Sequence, residues 1–373
     1  MQHIWQVLDA QVVSGRMPGY VAAVRIRGEV QVRAGGRMSL APGAAPMAED
    51  TLFRIASVTK PIAGALTLSL VQDGLLALDD PIGRWLPEAA NPRVLVTPDA
   101  PLECTTAAQR PITIRHLLTM TSGWGVVLEE TPLQAAMLER NVFPGPIPVR
   151  MSGDEYLARI TGLPLAFQPG EGWRYDSGTD ILSVLVTRAC GKPVAELLAE
   201  RVTGPLGMES TSFWTSDLHR LATAYRPATG GLEVIDPPDG AFARPPLFER
   251  LSGGLLSTAS DVLRFFCAMA DGGGPVLTAD SVALMTADAL TEEQRQQAQL
   301  IVGPGRSWGL ATALDVEVAA PWMAPGRWGW EGGTGTTAYV DSARDTVAVL
   351  LTQRGMAGPQ DGFDEFWAAV AAA

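Results

Sequence analysis

Polar and apolar positions alternate at both ends of this chain and recur at helical spacing through its middle. The stretch "YVAAVRIRGEVQVRAGG" from Tyr20 carries two alternating runs broken at Gly28, the pattern of a β-hairpin. Toward the other end, "TTAYVDSARDTVAVLLTQR" predicts two more strands around a polar turn at Asp341 to Asp345. The first dozen residues read as a helix, as does the terminal "DGFDEFWAAVAAA". Between these ends lie mostly helical patterns punctuated by Pro and Gly: "TIRHLLTMTSG", "DEYLARITG", "TDILSVLVTRACGKPVAELLAERV" and "TASDVLRFFCAMADGG". Ile62, Leu66 and Leu70 recur every four residues, and Asp73-Gly74 supplies a stop.

Neighbouring strands pair and connections avoid crossing, so the two terminal hairpins are expected to share one antiparallel sheet in an α+β fold. The terminal helices are expected on one face and the Ile62 to Leu70 helix on the other. Residues 1–75 and 245–373 then form a discontinuous sheet domain, residues 76–244 a mainly helical inserted domain, and a cleft opens between them.

Composition narrows the classes of function. In 373 residues, 47% hydrophobic and 18% charged, the chain has the make-up of a globular protein. A formal charge of −12 argues against nucleic acid and anionic membrane as partners. No apolar run approaches bilayer length and "MQHIWQVLDAQVVSG" has neither the basic head nor the apolar run of a signal peptide, so a soluble cytoplasmic protein is expected. Cys104, Cys190 and Cys267 are widely separated and read as buried small hydrophobes, with no disulfide framework or zinc site. His3, His116 and His219 are isolated, which disfavours a metal site, and the chain is read as having no Gly-x-Ser-x-Gly nucleophile elbow, which disfavours a Ser-His-Asp hydrolase.

Among 28 Lys and Arg, lysine occurs only at Lys60 and Lys192. A guanidinium cannot give up its proton, whereas a desolvated ammonium can, so lysine alone of the two serves as a base. Ser57 stands three residues before Lys60, about one helical turn, which stacks hydroxyl and amine on one face. Pro61 cannot bond the Ser57 carbonyl from inside a helix, so Ser57 sits at or before the helix start, near the positive end of its dipole. Holding a lysine neutral at pH 7 costs roughly 4 to 5 kcal/mol, and burial, a cationic neighbour or a second proton-sharing group must offset it. Tyr175, on the Pro/Gly-rich loop "FQPGEGWRYDSG" ahead of an apolar helix, is such a group. In "RWGWEGGTGTTAYVD", Gly332, Gly333 and Gly335 allow backbone N–H groups to approach a ligand, and one of them with the amide of Ser57 could form an oxyanion hole.

Taken in order, Ser-x-x-Lys at Ser57, Tyr-x-Ser at Tyr175 and Trp-Glu-Gly-Gly from Trp330 resemble the three motifs of the serine β-lactamase and penicillin-binding-protein superfamily. The resemblance runs nearly end to end and is nearest to the class C-like branch with its family VIII carboxylesterases, through "GLLALDDPIGRWLP", "ITIRHLLTMTSG", "GPLGMEST", "SGGLLSTASDVLRF" and "WGLATAL". It implies a β-lactamase-like fold with Ser57 as the acylated nucleophile, Lys60 as its base and Tyr175 as proton relay. The amides of Ser57 and Gly333 would form the oxyanion hole, with Ser177, Trp330, Glu331 and Gly332 toward the substrate and no metal or organic cofactor. Two positions depart from the penicillin-recognising pattern. Trp330, Glu331 and Gly332 stand where Lys-Thr-Gly binds a carboxylate, and Ser177 stands where asparagine is usual. Met120 stands where relatives often carry histidine. The expectation is a serine hydrolase for carboxylic esters of small acyl groups, with a small-molecule substrate. The alternatives are acyl transfer through the same intermediate, β-lactam or amide hydrolysis, and a sensor that stays acylated.

Overall fold

The computed structural model describes residues 1–359 and 361–373. In chain order, α1 (Gln2–Val13) leads into β1 (Gly19–Ile26) and β2 (Glu29–Gly36), and α2 (Thr59–Gln72) follows. After a mainly helical stretch that includes α3 (Ser177–Cys190), the chain forms α4 (Ala259–Ala270), β3 (Arg306–Trp308), β4 (Ala313–Asp315), β5 (Trp328–Gly332), β6 (Thr336–Asp341), β7 (Thr346–Thr352) and α5 (Asp364–Ala371). Among the described residues one seven-stranded sheet runs in the order β2-β1-β7-β6-β5-β4-β3, antiparallel throughout. The pairing of β1 with β7, Tyr20 opposite Thr352 to Ile26 opposite Thr346, joins the two chain ends. The first hairpin turns at Arg27 and Gly28, φ +51° and +82°, the double left-handed conformation that matches strand twist in a two-residue loop.

Alternation along β1 divides the core. Tyr20, Ala22 and Val24 face α1 and α5, packing with Ile4, Trp5, Leu8, Phe366 and Trp367. Val21 and Ala23 face the other way, into the main core with Phe265, Phe266, Ile62 and Leu66. The helix lying on this second face is α4, over β1, β6 and β7, and not the Ser57 helix as the sequence pattern suggested. Every residue of α2 from Thr59 to Leu70 is buried, so α2 runs through the middle of the molecule; a one-sided helix such as α4, with Arg264 outward, is what covers a sheet. The cysteines also differ from expectation: Cys104 is exposed, and Cys190 and Cys267 are half-buried. No helix among the described residues is long and apolar enough to cross a membrane.

Strand β5 pairs with β6 along its whole length, but with β4 only at Trp328 and Gly329. Trp330 to Gly332 therefore present a sheet edge with no strand beside it, next to the start of α2.

Candidate active site

Ser57 lies in a 3₁₀ turn, Ala56–Val58, immediately before α2, as Pro61 required. The turn is fastened to the sheet. The Thr334 hydroxyl donates to the Arg54 carbonyl at 2.5 Å, and that of Thr336 to the Ile55 carbonyl at 2.8 Å. Gly332 permits this approach: a Cβ there would sit 2.4 Å from the Ile55 carbonyl oxygen and 2.2 Å from the Thr336 hydroxyl, so Gly332 packs beneath the turn rather than toward a ligand. Ala56 takes a left-handed φ of +43°, a strained conformation for a residue with a Cβ, directly before the nucleophile candidate.

Lys60 is fully buried. Its ammonium donates to the Ser57 Oγ at 3.0 Å, to the Ser252 carbonyl at 2.7 Å and to a carboxylate oxygen of Asp176, and lies 4.4 Å from the centroid of the Tyr175 ring. Burial works to lower the Lys60 pKa; the negative charge of Asp176, and behind it Tyr175, outweighs this and holds the ammonium above the ordinary lysine range.

Tyr175 sits in an aromatic box. Trp173, Trp308 and Trp330 place their ring centroids 5.9, 5.8 and 5.7 Å from its own, and Met120 belongs to the same apolar cluster. The Trp330 indole N–H donates to the Tyr175 hydroxyl at 2.5 Å. Burial raises the Tyr175 pKa, with Lys60 and hydrogen bonds from Ser57 and Trp330 pulling the other way.

Sequence reasoning missed the groups that surround this pair. Asp176 has φ +83° and ψ −64°, and the Ser177 amide donates to the Tyr175 carbonyl at 3.3 Å, a γ-turn that is rare and strained for a non-glycine residue. The turn aims Asp176 at Lys60. It also carries Ser177, expected toward the substrate, into the first turn of α3, fully buried and away from the cavity. Arg250 lies 3.7 Å from Asp176, binds Asp180 at 2.6 Å and donates to the Gly145 carbonyl at 3.2 Å. The one available signal was a carboxylate inside "RYDSGTD", beside the motif tyrosine. A Gly-x-Ser-x-Gly string does occur, from Gly305 to Gly309, against the expectation that the chain has none. Its Ser307 is fully buried in β3 and donates to Asp288, whereas a nucleophile elbow exposes its serine on a strand-to-helix turn.

Ser57, Tyr175, Asp176, Trp330, Glu331 and Gly333 line one cavity of about 590 Å³. Its remaining walls are largely apolar, with Val126, Phe143, Pro144, Ile301, Met356 and Pro359. The two carboxylates that reach it are already paired, Asp176 with Lys60 and Glu331 with Arg306 at 3.2 Å, and no cationic side chain is among the described residues that line it. Gly333 shares the cavity with Ser57 and its carbonyl accepts from the Met356 amide at 2.9 Å.

The model of the family described as "Beta-lactamase" matches residues 4–373. Esterase EstB of Burkholderia gladioli is 34% identical over 375 residues, covering 95% of this chain and 91% of the relative. Protein Rv1367c of Mycobacterium tuberculosis (strain ATCC 25618 / H37Rv) is 37% identical over 366 residues, covering 94% and 88%. Among solved structures, EstCE1, a hydrolase with promiscuous acyltransferase activity, superposes with a TM-score of 0.86 at 24% identity, covering 99% of this chain and 98% of that one.

Proposed function

The chain belongs to the beta-lactamase family, and from that premise we propose that it is a serine hydrolase cleaving carboxylic esters of small acyl groups through an acyl-enzyme on Ser57. The observation that carries the reading is the Lys60 ammonium 3.0 Å from the Ser57 hydroxyl, at a cavity that Tyr175 also lines. Ser57 Oγ attacks the ester carbonyl and its proton leaves through the Lys60 and Tyr175 pair. The amides of Ser57 and Gly333 take the oxyanion, where one such donor is worth about 3 to 4 kcal/mol of barrier. Tyr175 protonates the departing alcohol, and water reverses the path to release the acid.

Esters are favoured over β-lactams because the position that would bind a substrate carboxylate holds Trp330, whose N–H is engaged with Tyr175. A hydrogen bond to a charged group contributes about 1.5 to 3 kcal/mol, so its loss predicts at least a tenfold penalty for carboxylate-bearing substrates. The test is kcat/KM for a short-chain aryl ester and a chromogenic cephalosporin on one preparation, with Ser57→Ala as the blank. A strong ester preference that vanishes in the blank is expected; equal cephalosporin turnover overturns the assignment of specificity to Trp330. The volume of about 590 Å³ exceeds what a short acyl chain fills, which favours, as a second reading, transfer to an alcohol acceptor in place of water. Added alcohol that diverts product from acid to a new ester would identify it.

Tyr175→Phe removes the acid and relay while keeping the ring in its aromatic box. A fall in kcat of roughly 10² to 10⁴ is expected with little change in KM. The Trp330 N–H then loses its acceptor, costing about 1 to 3 kcal/mol and a few degrees of melting temperature. A kcat within twofold of wild type would remove Tyr175 from the mechanism.

A further inference from the structure

The Lys60 nitrogen donates to Ser57 Oγ, the Ser252 carbonyl and an Asp176 carboxylate oxygen, and the Tyr175 hydroxyl is a further neighbour. An ammonium has three hydrogens to donate and no lone pair. Lys60 in this setting is saturated, and it cannot take the Ser57 proton before releasing one of its own. Of these neighbours, Ser57 is the source of the incoming proton, a peptide carbonyl is too weak a base to hold one, and Tyr175, kept a neutral phenol by burial, already carries its own. The carboxylate of Asp176 remains.

We propose that Asp176 is the internal proton acceptor of the reaction, receiving a proton from Lys60 as Lys60 takes one from Ser57. The inference rests on the acyl-enzyme reading above. In the step, the Lys60 N–H bond to Asp176 breaks and an O–H bond forms on the carboxylate. The Ser57 O–H proton moves to the vacated Lys60 position, and Ser57 Oγ bonds to the ester carbon, whose oxygen becomes the oxyanion. Lys60 ends as an ammonium, Asp176 as a neutral acid, and net charge is conserved; when Tyr175 protonates the departing alcohol, the proton held on Asp176 returns through Lys60 to Tyr175.

The surroundings support this exchange. Asp176 faces Lys60 from α2, the Arg250 guanidinium at 3.7 Å and Tyr175 beside it, while Asp180 and Tyr156 stand around Arg250. Lys60, Asp176, Arg250 and Asp180 sum to zero formal charge at rest. Once Asp176 is protonated the cluster carries one positive charge opposite the oxyanion, which is the sign that stabilises it. A γ-turn with φ +83°, held against a strain of about 1 to 3 kcal/mol, fixes the carboxylate on Lys60.

The consequence is a pH profile. A proton that passes within the Lys60 and Asp176 pair is never released to solvent, so kcat/KM should be level from about pH 6 to pH 9. In Asp176→Asn the amide cannot accept the proton, and Lys60 must lose it to solvent. Burial then acts on Lys60 without its counter-charge and lowers its pKa. The variant should be down by about 100-fold at pH 6 and climb toward wild type as pH rises. Asparagine has the same shape and tolerates positive φ, so the fold is expected to persist, and a thermal melt checks it.

The experiment measures kcat/KM for a p-nitrophenyl ester across this range in wild type, Asp176→Asn and Ser57→Ala. A wild-type rate rising tenfold per pH unit overturns the proposal, as does a variant within threefold of wild type at every pH. Should the variant not fold, the wild-type profile decides alone. Turnover by Ser57→Ala would instead overturn the acyl-enzyme reading itself, a separate outcome.

Discussion

Lys60→Arg is expected to lower kcat/KM for a short-chain aryl ester by about 10⁴-fold or more, although it keeps the positive charge. The guanidinium can neither give its proton to Asp176 nor accept one from Ser57, because it is not deprotonated in proteins. Loss of a general base removes about 10² to 10⁴. Geometry adds to this: Lys60 is fully buried, and its single nitrogen serves Ser57, Ser252 and Asp176 together, a threefold arrangement that a planar fork does not reproduce. Pairing with Asp176 is retained, so the buried carboxylate is not left uncompensated and the variant should remain folded. Circular dichroism and a melting curve check this, alongside steady-state kinetics. More than a tenth of wild-type activity in a folded Arg variant would refute the role of Lys60 in moving the proton.

Ser57→Ala is expected to have the largest effect, on the order of 10⁴ to 10⁶ in kcat, leaving at most what the oxyanion donors and binding provide. Its fold should be little affected. The turn that carries Ser57 is held by Thr334 and Thr336 through the carbonyls of Arg54 and Ile55, and none of these contacts uses the serine hydroxyl. Lys60 loses one of three acceptors and keeps its pairing with Asp176. A double variant with Lys60→Arg should be scarcely worse than Ser57→Ala, since both act on one step. Additive losses would mean that Lys60 acts elsewhere.

What was legible in the sequence was local or carried by motif. The offset of Ser57 from Lys60 and the constraint from Pro61 sit within one helical turn, so spacing alone put the two side chains together. Both terminal hairpins were visible as pairs of strand-forming runs around a short turn, and their partnership followed from the rules of strand connection. Contacts between distant positions were hidden. Asp176 is 116 residues from Lys60, Ser252 is 192 away, and the Trp330 indole meets a tyrosine 155 residues distant. No periodicity encodes such pairs. Ser177 was placed toward the substrate because motif spacing counts residues and not dihedral angles, and one positive φ at Asp176 turned the neighbouring side chain inward. The position of α4 over the sheet was equally obscure. A regular apolar stripe marks α2 and α4 alike, and only full burial of α2 distinguishes them.

The most direct test of the central claim is the mass of the enzyme quenched within milliseconds of mixing with a p-nitrophenyl ester, followed by peptide mapping. The account predicts an increment equal to the acyl group on the peptide holding Ser57, formed before steady-state turnover and missing from Ser57→Ala. Ester turnover accompanied by an acyl group on another residue would contradict it.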